Sequence, residues 1–180
     1  MIVFFVFQVI YVAPMKAIAK ERLADWTARF GKGLKKSVLE LTGDYTPDIE
    51  ALLKADVLIT TPEKWDGISR NWNNRSYVQS TGLVIFDEIH LLGQDRGPVL
   101  EVIVSRMNLI SSKTGHKVRM VGLSTAMANG TDVADWFGVP KNYFFNFRPH
   151  VRPVPLKIYF DGFSAKAYCP RMAEMNKPAF

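Results

Sequence analysis

Residues 82–90 read GLVIFDEIH, an apolar run that ends on two carboxylates and a histidine. A short, continuous run of β-branched and aromatic residues is typical of a strand that is buried on both faces of a parallel sheet. Runs of the same texture recur along the 180 residues. We therefore predict strands at residues 9–13, 37–41, 56–60, 82–87, 118–124, 143–147 and 155–160.

Helical patterns occupy the intervals between most of these strands. Apolar side chains recur at helical spacing in residues 15–30, and Pro62 suits the first turn of a helix that Thr61 would cap. Strands that alternate with helices predict an α/β fold, with a mostly parallel sheet and helices on both of its faces. The predicted helices are residues 15–30, 47–54, 62–72, 97–110 and 129–137.

Composition and charge exclude several classes of protein. With 48% apolar and 22% charged residues, the chain is neither a disordered tail nor a fibre, and its one cysteine, Cys169, cannot form an internal disulfide. Residues 141–180 hold 7 basic and 2 acidic side chains and so supply five of the six excess charges. Residues 1–140 are nearly neutral, so overall basicity does not indicate nucleic-acid binding. Repeated prolines in residues 149–180 predict an extended basic connector.

The first thirteen residues, MIVFFVFQVIYVA, allow three interpretations. They are too short to span a membrane, which takes about 20 apolar residues. A signal peptide cut near residues 17–19 would carry a basic residue before its apolar run, but the first one, Lys16, follows the run. We therefore expect a buried strand in a protein that is not secreted. A signal peptide and a start within a longer chain are the alternatives.

The end of the strand at residues 82–87 carries the strongest chemical signal. Functional groups of open parallel sheets lie at the carboxyl ends of the strands. A carboxylate there, Asp87, is the Walker-B arrangement, in which the acid holds Mg²⁺ beside nucleotide phosphates. Glu88, directly after it, can polarise an attacking water. The alternative is that two acids and a histidine merely begin a loop.

A rival hydrolase interpretation comes from the strand at residues 118–124. GLSTA at 122–126 is close to the G-x-S-x-G nucleophile elbow, with Asp132 or Asp135 and then His150 to complete a triad with Ser124. The last small residue is Ala instead of Gly, and His150 lies in the proline-rich stretch. The sequence therefore favours a nucleotide site over a serine hydrolase.

Three other predicted strands precede segments that suit phosphate contacts. Residues 14–17, 42–44 and 61–66 combine helix starts, threonine hydroxyls and lysines, and exposed N–H groups at a helix start attract phosphates. Each segment alone is equally well explained as a helix cap.

Taken in order, these segments resemble the motifs of the superfamily 2 DExH-box helicases. The phrases TPEKWD, DEIHLLG, RGPVLEVIVSR and VRPVPL resemble the Superkiller-type branch, whose members carry tandem helicase cassettes. The resemblance covers residues 9–180, and residues 1–8 do not fit it. The matches are APMKA at 13–17 with motif Ia, TPEK at 61–64 with motif Ib, DEIH at 87–90 with motif II and STA at 124–126 with motif III.

The resemblance implies a RecA-like P-loop NTPase fold and ATP- and Mg²⁺-dependent 3′-to-5′ strand separation. Asp87 would hold Mg²⁺ through water, and Glu88 would activate the attacking water. His90, Ser124 and Thr125 would couple the ATP site to the nucleic-acid path. The residues that would line the nucleic-acid backbone are Pro14, Lys16, Gly43, Thr61 and Pro62.

The family also implies partners and a location. These are single-stranded or duplex RNA or DNA, a second RecA-like domain and other helicase domains in the same polypeptide, and the subunits of a protein complex. We expect no membrane partner, and a nuclear or cytoplasmic location.

One departure from the family pattern bears on activity. The P-loop, G-x-x-x-x-G-K-[ST], should precede motif Ia and does not occur in the 180 residues. We therefore predict a partial ATP-binding domain at residues 1–148 and, at 149–180, a connector toward a second RecA-like domain. The isolated chain should be inactive and should bind ATP weakly at best. A non-catalytic lobe that binds nucleic acid or protein is the alternative from another class.

Overall fold

The computed structural model describes residues 7–93 and 97–179. Two compact units divide the chain: the first ends at Phe144 and the second begins at Phe145. Within the described ranges, none of the helices has the length and apolar character needed to cross a membrane.

Five parallel strands form the sheet of the first unit. Their order is β2-β3-β1-β4-β5, so β1 is central, and its Val12 pairs with Thr60 on one side and with Phe86 on the other. The predicted parallel sheet and the buried strand at residues 9–13 are confirmed. The strands are β1 Gln8–Val12, β2 Val38–Leu41, β3 Val57–Thr60, β4 Thr81–Phe86 and β5 Arg119–Gly122.

Helices cover both faces of the sheet, as predicted. Alternation along β1 places Tyr11 in a cluster with Trp26 on one face, whereas Ile10 and Val12 join the larger core on the other face. In the first unit the helices are α1 Lys16–Trp26, α2 Ile49–Lys54, α3 Pro62–Ser69, α4 Ser76–Gln79, α5 Gly97–Thr114 and α6 Gly130–Trp136, and in the second unit α7 Tyr168–Ala179.

The predicted strands at residues 143–147 and 155–160 are wrong. Both segments lie outside the five-stranded sheet, and Phe147 and Phe160 are 74% and 93% exposed. An apolar run forms a strand only where the edge of a neighbouring strand is available to pair with it. The run itself does not indicate whether such an edge exists.

The prediction of an extended connector is wrong for part of the second unit. Residues 168–179 form α7, with prolines close to both of its ends. Pro170 lies in the first turn, where a missing N–H breaks no helical hydrogen bond, and Pro178 lies in the last turn. The residues between them include Met, Ala, Glu and Lys, which favour helix.

Gln8 ties β1 to the helical layer, although the family resemblance begins only at residue 9. Its buried amide donates hydrogen bonds to the carbonyl oxygens of Leu52, at 2.5 Å, and Ala55, at 2.9 Å. Gln8 is therefore part of the fold, and residues 1–6 lie outside the described residues.

A buried ion pair joins α3 to α5. Arg106 donates to Asp66 Oδ1 at 2.8 Å and to the Ser69 hydroxyl at 2.8 Å, and Arg70 also binds Asp66. Burial by itself would raise the pKa of Asp66, but the hydrogen bonds from Arg70 and Arg106 outweigh burial and hold that pKa below its usual value. The ionised Asp66 therefore stabilises the folded state.

Arg106→Met should lower the free energy of unfolding by about 3 kcal/mol, because it leaves the buried Asp66 Oδ1 and the Ser69 hydroxyl without the guanidinium that binds both. Since the pKa of Asp66 is lowered on folding, this stabilisation is present above the usual Asp range and is lost as the pH falls below it. The difference between the two proteins should therefore shrink in acid, which urea unfolding at neutral and acidic pH measures. The control is Arg70→Met, whose side chain is 67% exposed and should cost less than about 1 kcal/mol. Equal losses for both variants would contradict the prediction.

Candidate nucleotide and nucleic-acid site

The loops after β1, β4 and β5 are joined at the carboxyl edge of the sheet. The N–H of Asp87 donates to the Val12 carbonyl at 3.1 Å, and the N–H of Leu123 donates to the Phe86 carbonyl at 2.8 Å. The N–H of Ile89 in turn donates to the Leu123 carbonyl at 2.9 Å. These bonds bring the predicted acids together with the end of β5, which sequence spacing alone placed 34 or more residues apart along the chain.

The carboxylate of Asp87 is held through both of its oxygens. Oδ1 accepts the N–H of Glu88 at 3.0 Å, and Oδ2 accepts the hydroxyl of Tyr11. Burial, followed by the hydrogen bond to Asp87, raises the pKa of Tyr11 to about 12. At neutral pH the phenol therefore keeps its proton and remains a donor to the acid.

Glu88, His90 and Thr125 form a chain of polar contacts. Glu88 Oε2 lies 3.1 Å from His90 Nε2, and the N–H of Thr125 donates to His90 Nδ1 at 3.4 Å. Because Nδ1 accepts a hydrogen bond, the proton of the neutral ring lies on Nε2, facing the glutamate. Glu88 itself has a left-handed backbone, with φ of 53°, a conformation that is uncommon for a residue other than glycine and is often found at functional sites.

Ser124 does not have the surroundings of a hydrolase nucleophile. Its hydroxyl donates to the carbonyl of Thr125 at 2.7 Å, and the histidine that contacts this segment is His90. A nucleophilic serine donates its hydroxyl proton to a base, so this hydrogen bond to a backbone carbonyl does not favour the hydrolase alternative.

The acids of the DEIH segment fit a magnesium ion that is held mainly by water and phosphate. Mg²⁺ in nucleotide enzymes takes one or two protein carboxylates and completes its octahedral coordination with waters and phosphate oxygens. Asp87, at the end of β4, can supply one such carboxylate. Among residues 7–93 and 97–179, no cluster of three or more histidine, cysteine or acidic side chains forms a closed metal cage.

Loops after β1, β2 and β3 meet beside this acidic edge. Lys16 Nζ lies 2.6 Å from Asp44 Oδ1, and Lys64 Nζ donates to the Thr46 hydroxyl at 2.7 Å. A Cβ atom on Gly43 would lie 3.7 Å from Lys16 Nζ, so Gly43 leaves room beside the lysine. The hydrogen bond from Lys16 lowers the pKa of Asp44, so this carboxylate offsets the charge of the lysine.

The five residues expected at the nucleic-acid backbone differ in exposure. Lys16 and Gly43 are exposed, whereas Pro14, Thr61 and Pro62 are buried. Pro62 begins α3 as predicted, and Thr61 stands at the N-cap position, where its side chain makes no capping hydrogen bond. The buried residues therefore shape the loops, and the exposed ones present a surface.

Sequence reasoning missed the partners of several functional side chains. The apolar run at residues 9–13 predicts Tyr11 only as part of a buried strand, and the loop at residues 42–44 indicates no partner for Asp44. A polar atom on a buried strand is almost always hydrogen-bonded, so its presence in the sequence indicates that it has a partner. The identity of that partner follows only from the register of β1 against β4.

Comparison with known proteins agrees with this geometry. The family model described as DEAD/DEAH box helicase matches residues 6–133, so the expectation that residues 1–8 do not fit the family is wrong for residues 6–8. Activating signal cointegrator 1 complex subunit 3 is 61% identical in Danio rerio over 96% of this chain, and 60% identical in Homo sapiens over 95% of it. DExH-box ATP-dependent RNA helicase DExH14 of Arabidopsis thaliana is 62% identical over 96% of the chain. The chain spans only 8 to 11% of the length of these relatives.

The end of the chain carries a finer resemblance. YCPRM at 168–172 and NKPAF at 176–180 look most like the second cassette of the helicase subunit of the activating signal cointegrator complex, and next like the spliceosomal U5 snRNP helicase. The comparisons confirm the similarity to that helicase subunit, and the assignment to its second cassette stays a prediction.

Solved structures share the fold. The DUF1998 helicase MrfA superposes with a TM-score of 0.67 at 18% identity, over 75% of this chain and 22% of that one. The helicase Lhr of Mycobacterium smegmatis gives a TM-score of 0.56 at 26% identity, over 71% of this chain and 18% of that one. The RecA-like fold is therefore confirmed, and by sequence the chain belongs to the DEAD/DEAH box helicase family.

Proposed function

We propose that this chain is the part of an ATP-dependent nucleic-acid helicase that carries motifs Ia, Ib, II and III, with 3′-to-5′ polarity. The observation that supports this proposal most directly is the polar chain from Glu88 through His90 to Thr125. It joins the acids that would serve ATP hydrolysis, after β4, to the loop after β5. A movement of Glu88 would therefore displace Thr125 through His90. Such a link is what a motor needs to convert hydrolysis into movement.

Each residue of the edge has a distinct role in this proposal. Asp87 orients water that coordinates Mg²⁺, and Glu88 accepts a proton from the water that attacks the γ-phosphorus. Mg²⁺, when bound, neutralises charge on the phosphate oxygens. His90 contacts Glu88 through Nε2 and Thr125 through Nδ1, and so would couple the position of Glu88 to that of Thr125. Ser124, next to Thr125, would take part in the same coupling between the ATP site and the nucleic-acid path.

The proposal assigns the phosphate cradle to residues other than these 180. The backbone N–H groups and the lysine of a P-loop hold the β- and γ-phosphates in this family of folds, and the 180 residues contain no such pattern. The relatives are about ten times longer, since the chain covers 8 to 11% of them. In the full-length protein a P-loop, a second RecA-like domain and further helicase domains would complete the motor.

Nucleic acid is the proposed partner of the loops after β1, β2 and β3. The exposed Lys16 and the space beside Gly43 suit a sugar-phosphate backbone, which such proteins grip without reading its sequence. The Arabidopsis relative is named an RNA helicase, and MrfA was solved bound to DNA. The vertebrate relatives are subunits of a complex, so we further propose protein partners and a nuclear or cytoplasmic location.

A second candidate function is a non-catalytic lobe that contacts nucleic acid or protein. The exposed Lys16 and Gly43 would serve such a lobe without any nucleotide chemistry. The two candidates differ in the full-length transcript. A P-loop encoded upstream of Met1 supports the motor, and a transcript that begins at Met1 supports the binding lobe.

The affinity of this chain for single-stranded nucleic acid should come mainly from its basic tail. Residues 141–180 carry 7 basic and 2 acidic side chains, whereas Lys16 is paired with Asp44 in the first unit. Truncation to residues 1–148 should therefore weaken binding and flatten its salt dependence, because each phosphate contact contributes a slope of about 0.7 in log K against log salt. Fluorescence anisotropy with a labelled oligonucleotide over a salt series measures both. Equal slopes would assign the contacts to residues 1–148, which include the Lys16 and Thr61 loops. The basic residues of the tail are Lys141 and Arg148, which the truncation keeps, and Arg152, Lys157, Lys166, Arg171 and Lys177, which it removes.

A further inference from the structure

Tyr11 is an unusual residue for the centre of a buried strand. It is 2% exposed, and its ring packs edge-on against Trp26 at a centroid distance of 4.8 Å. Packing of this kind would be served equally well by phenylalanine. A buried hydroxyl costs free energy unless it is hydrogen-bonded, so the hydroxyl needs an explanation that the core does not supply.

The register of the sheet provides the partner of that hydroxyl. Tyr11 pairs with Ile85 across the β1–β4 ladder, and Asp87 lies two residues further on, on the same face. The Tyr11 hydroxyl donates to Asp87 Oδ2, while the N–H of Glu88 donates to Oδ1. Two donors from two different segments therefore fix the plane of one carboxylate.

A third residue steadies the tyrosine. The Arg22 guanidinium, on α1, lies near enough to the Tyr11 hydroxyl to lower the pKa of the phenol, against the larger effect of burial. A guanidinium can only donate hydrogen bonds, so it does not compete with Asp87 for the hydroxyl proton of Tyr11. The hydrogen bond from Tyr11 to Asp87 therefore keeps its direction.

We propose that Tyr11, steadied by Arg22, is a positioning residue that holds the Asp87 carboxylate in the orientation in which it receives metal-bound water. Each carboxylate oxygen has two lone pairs, and the protein occupies one on each, so the other two stay available at the sheet edge. This inference rests on the proposed function, because it assumes that Asp87 serves a divalent cation. Groups that orient a metal-binding side chain in this way tune its affinity without touching the metal.

The test uses Mn²⁺ alone as a paramagnetic stand-in for Mg²⁺, added to the isotope-labelled 180-residue chain. Its readout is the broadening of the amide signals of residues 87–90. In Tyr11→Phe, which keeps the ring and its packing, the Mn²⁺ concentration for half-maximal broadening should rise about tenfold. Arg22→Gln should raise it about threefold, and Arg22→Lys, which keeps a donor, should stay within about twofold of wild type. The matched control is Tyr77→Phe, since Tyr77 is also buried and its hydroxyl accepts from Arg75 at 3.3 Å, away from the acids.

Asp87→Asn separates failure of the inference from failure of the proposed function. If this variant keeps wild-type broadening, Mn²⁺ does not use the acid, and the magnesium role is overturned together with the inference. If Asp87→Asn abolishes broadening and neither Tyr11→Phe nor Arg22→Gln shifts it, the magnesium role stands and the positioning role is overturned. Thermal unfolding of each variant shows whether it is folded. Should Tyr11→Phe fail to fold, the shift in Arg22→Gln, together with its recovery in Arg22→Lys, decides the matter.

Discussion

Replacing Glu88 with glutamine in the full-length protein is expected to lower ATP turnover by about 10²–10⁴-fold and to leave nucleotide binding unchanged. The carboxylate acts on the attacking water. Its loss therefore raises the free energy of the transition state and leaves that of the ground-state complex unchanged. Glutamine keeps the size of the side chain and one hydrogen-bonding oxygen toward His90 Nε2, which lies 3.1 Å from Glu88 in the native chain. Steady-state ATPase rates and the affinity for a fluorescent ATP analogue measure the two effects separately.

The matched control for this substitution is Glu101→Gln, an exposed glutamate on α5, which should leave both turnover and binding at wild-type values. Turnover of Glu88→Gln close to that of the wild type would show that Glu88 is a surface acid with no part in hydrolysis. Equal loss of turnover and of binding would instead assign Glu88 to the metal or the nucleotide.

The 180-residue chain by itself is expected to show no ATPase activity and to bind Mg-ATP with a Kd weaker than about 1 mM, because it carries no phosphate cradle. An arginine finger from a second domain would also be missing from such a sample, and where it has been measured it is worth roughly 10³–10⁵ in rate. Isothermal titration and a coupled ATPase assay test the two statements.

The full-length protein, titrated under identical conditions, is the control for this second experiment. It should bind Mg-ATP if it is an active motor. Micromolar affinity of the 180-residue chain would contradict the prediction and would mean that the acidic edge around Asp87 grips phosphates without a P-loop.

The sequence by itself determined the class of fold and the order of its motifs. The runs at residues 9–13 and 82–86 consist of aliphatic and aromatic residues and one glycine, as expected of strands covered on both faces, and they form the two neighbouring strands β1 and β4. Because parallel strands all end at one edge, the residues after them had to meet there. The positions of Asp87, Glu88 and Thr125 at a common edge therefore followed from pattern alone.

Tertiary structure decided everything that depends on a partner distant in sequence. The hydrogen bond between Tyr11 and Asp87 joins residues 76 positions apart, and the bond from Arg106 to Asp66 joins residues 40 apart. Residues 155–160 have the pattern of a strand but do not pair with the sheet. Residues 168–179 have the composition of a connector but form α7. Periodicity describes which face of an element is apolar. The partner that covers that face, and the donor that satisfies each buried oxygen, are set by strand register and helix packing, which no local stretch of sequence contains.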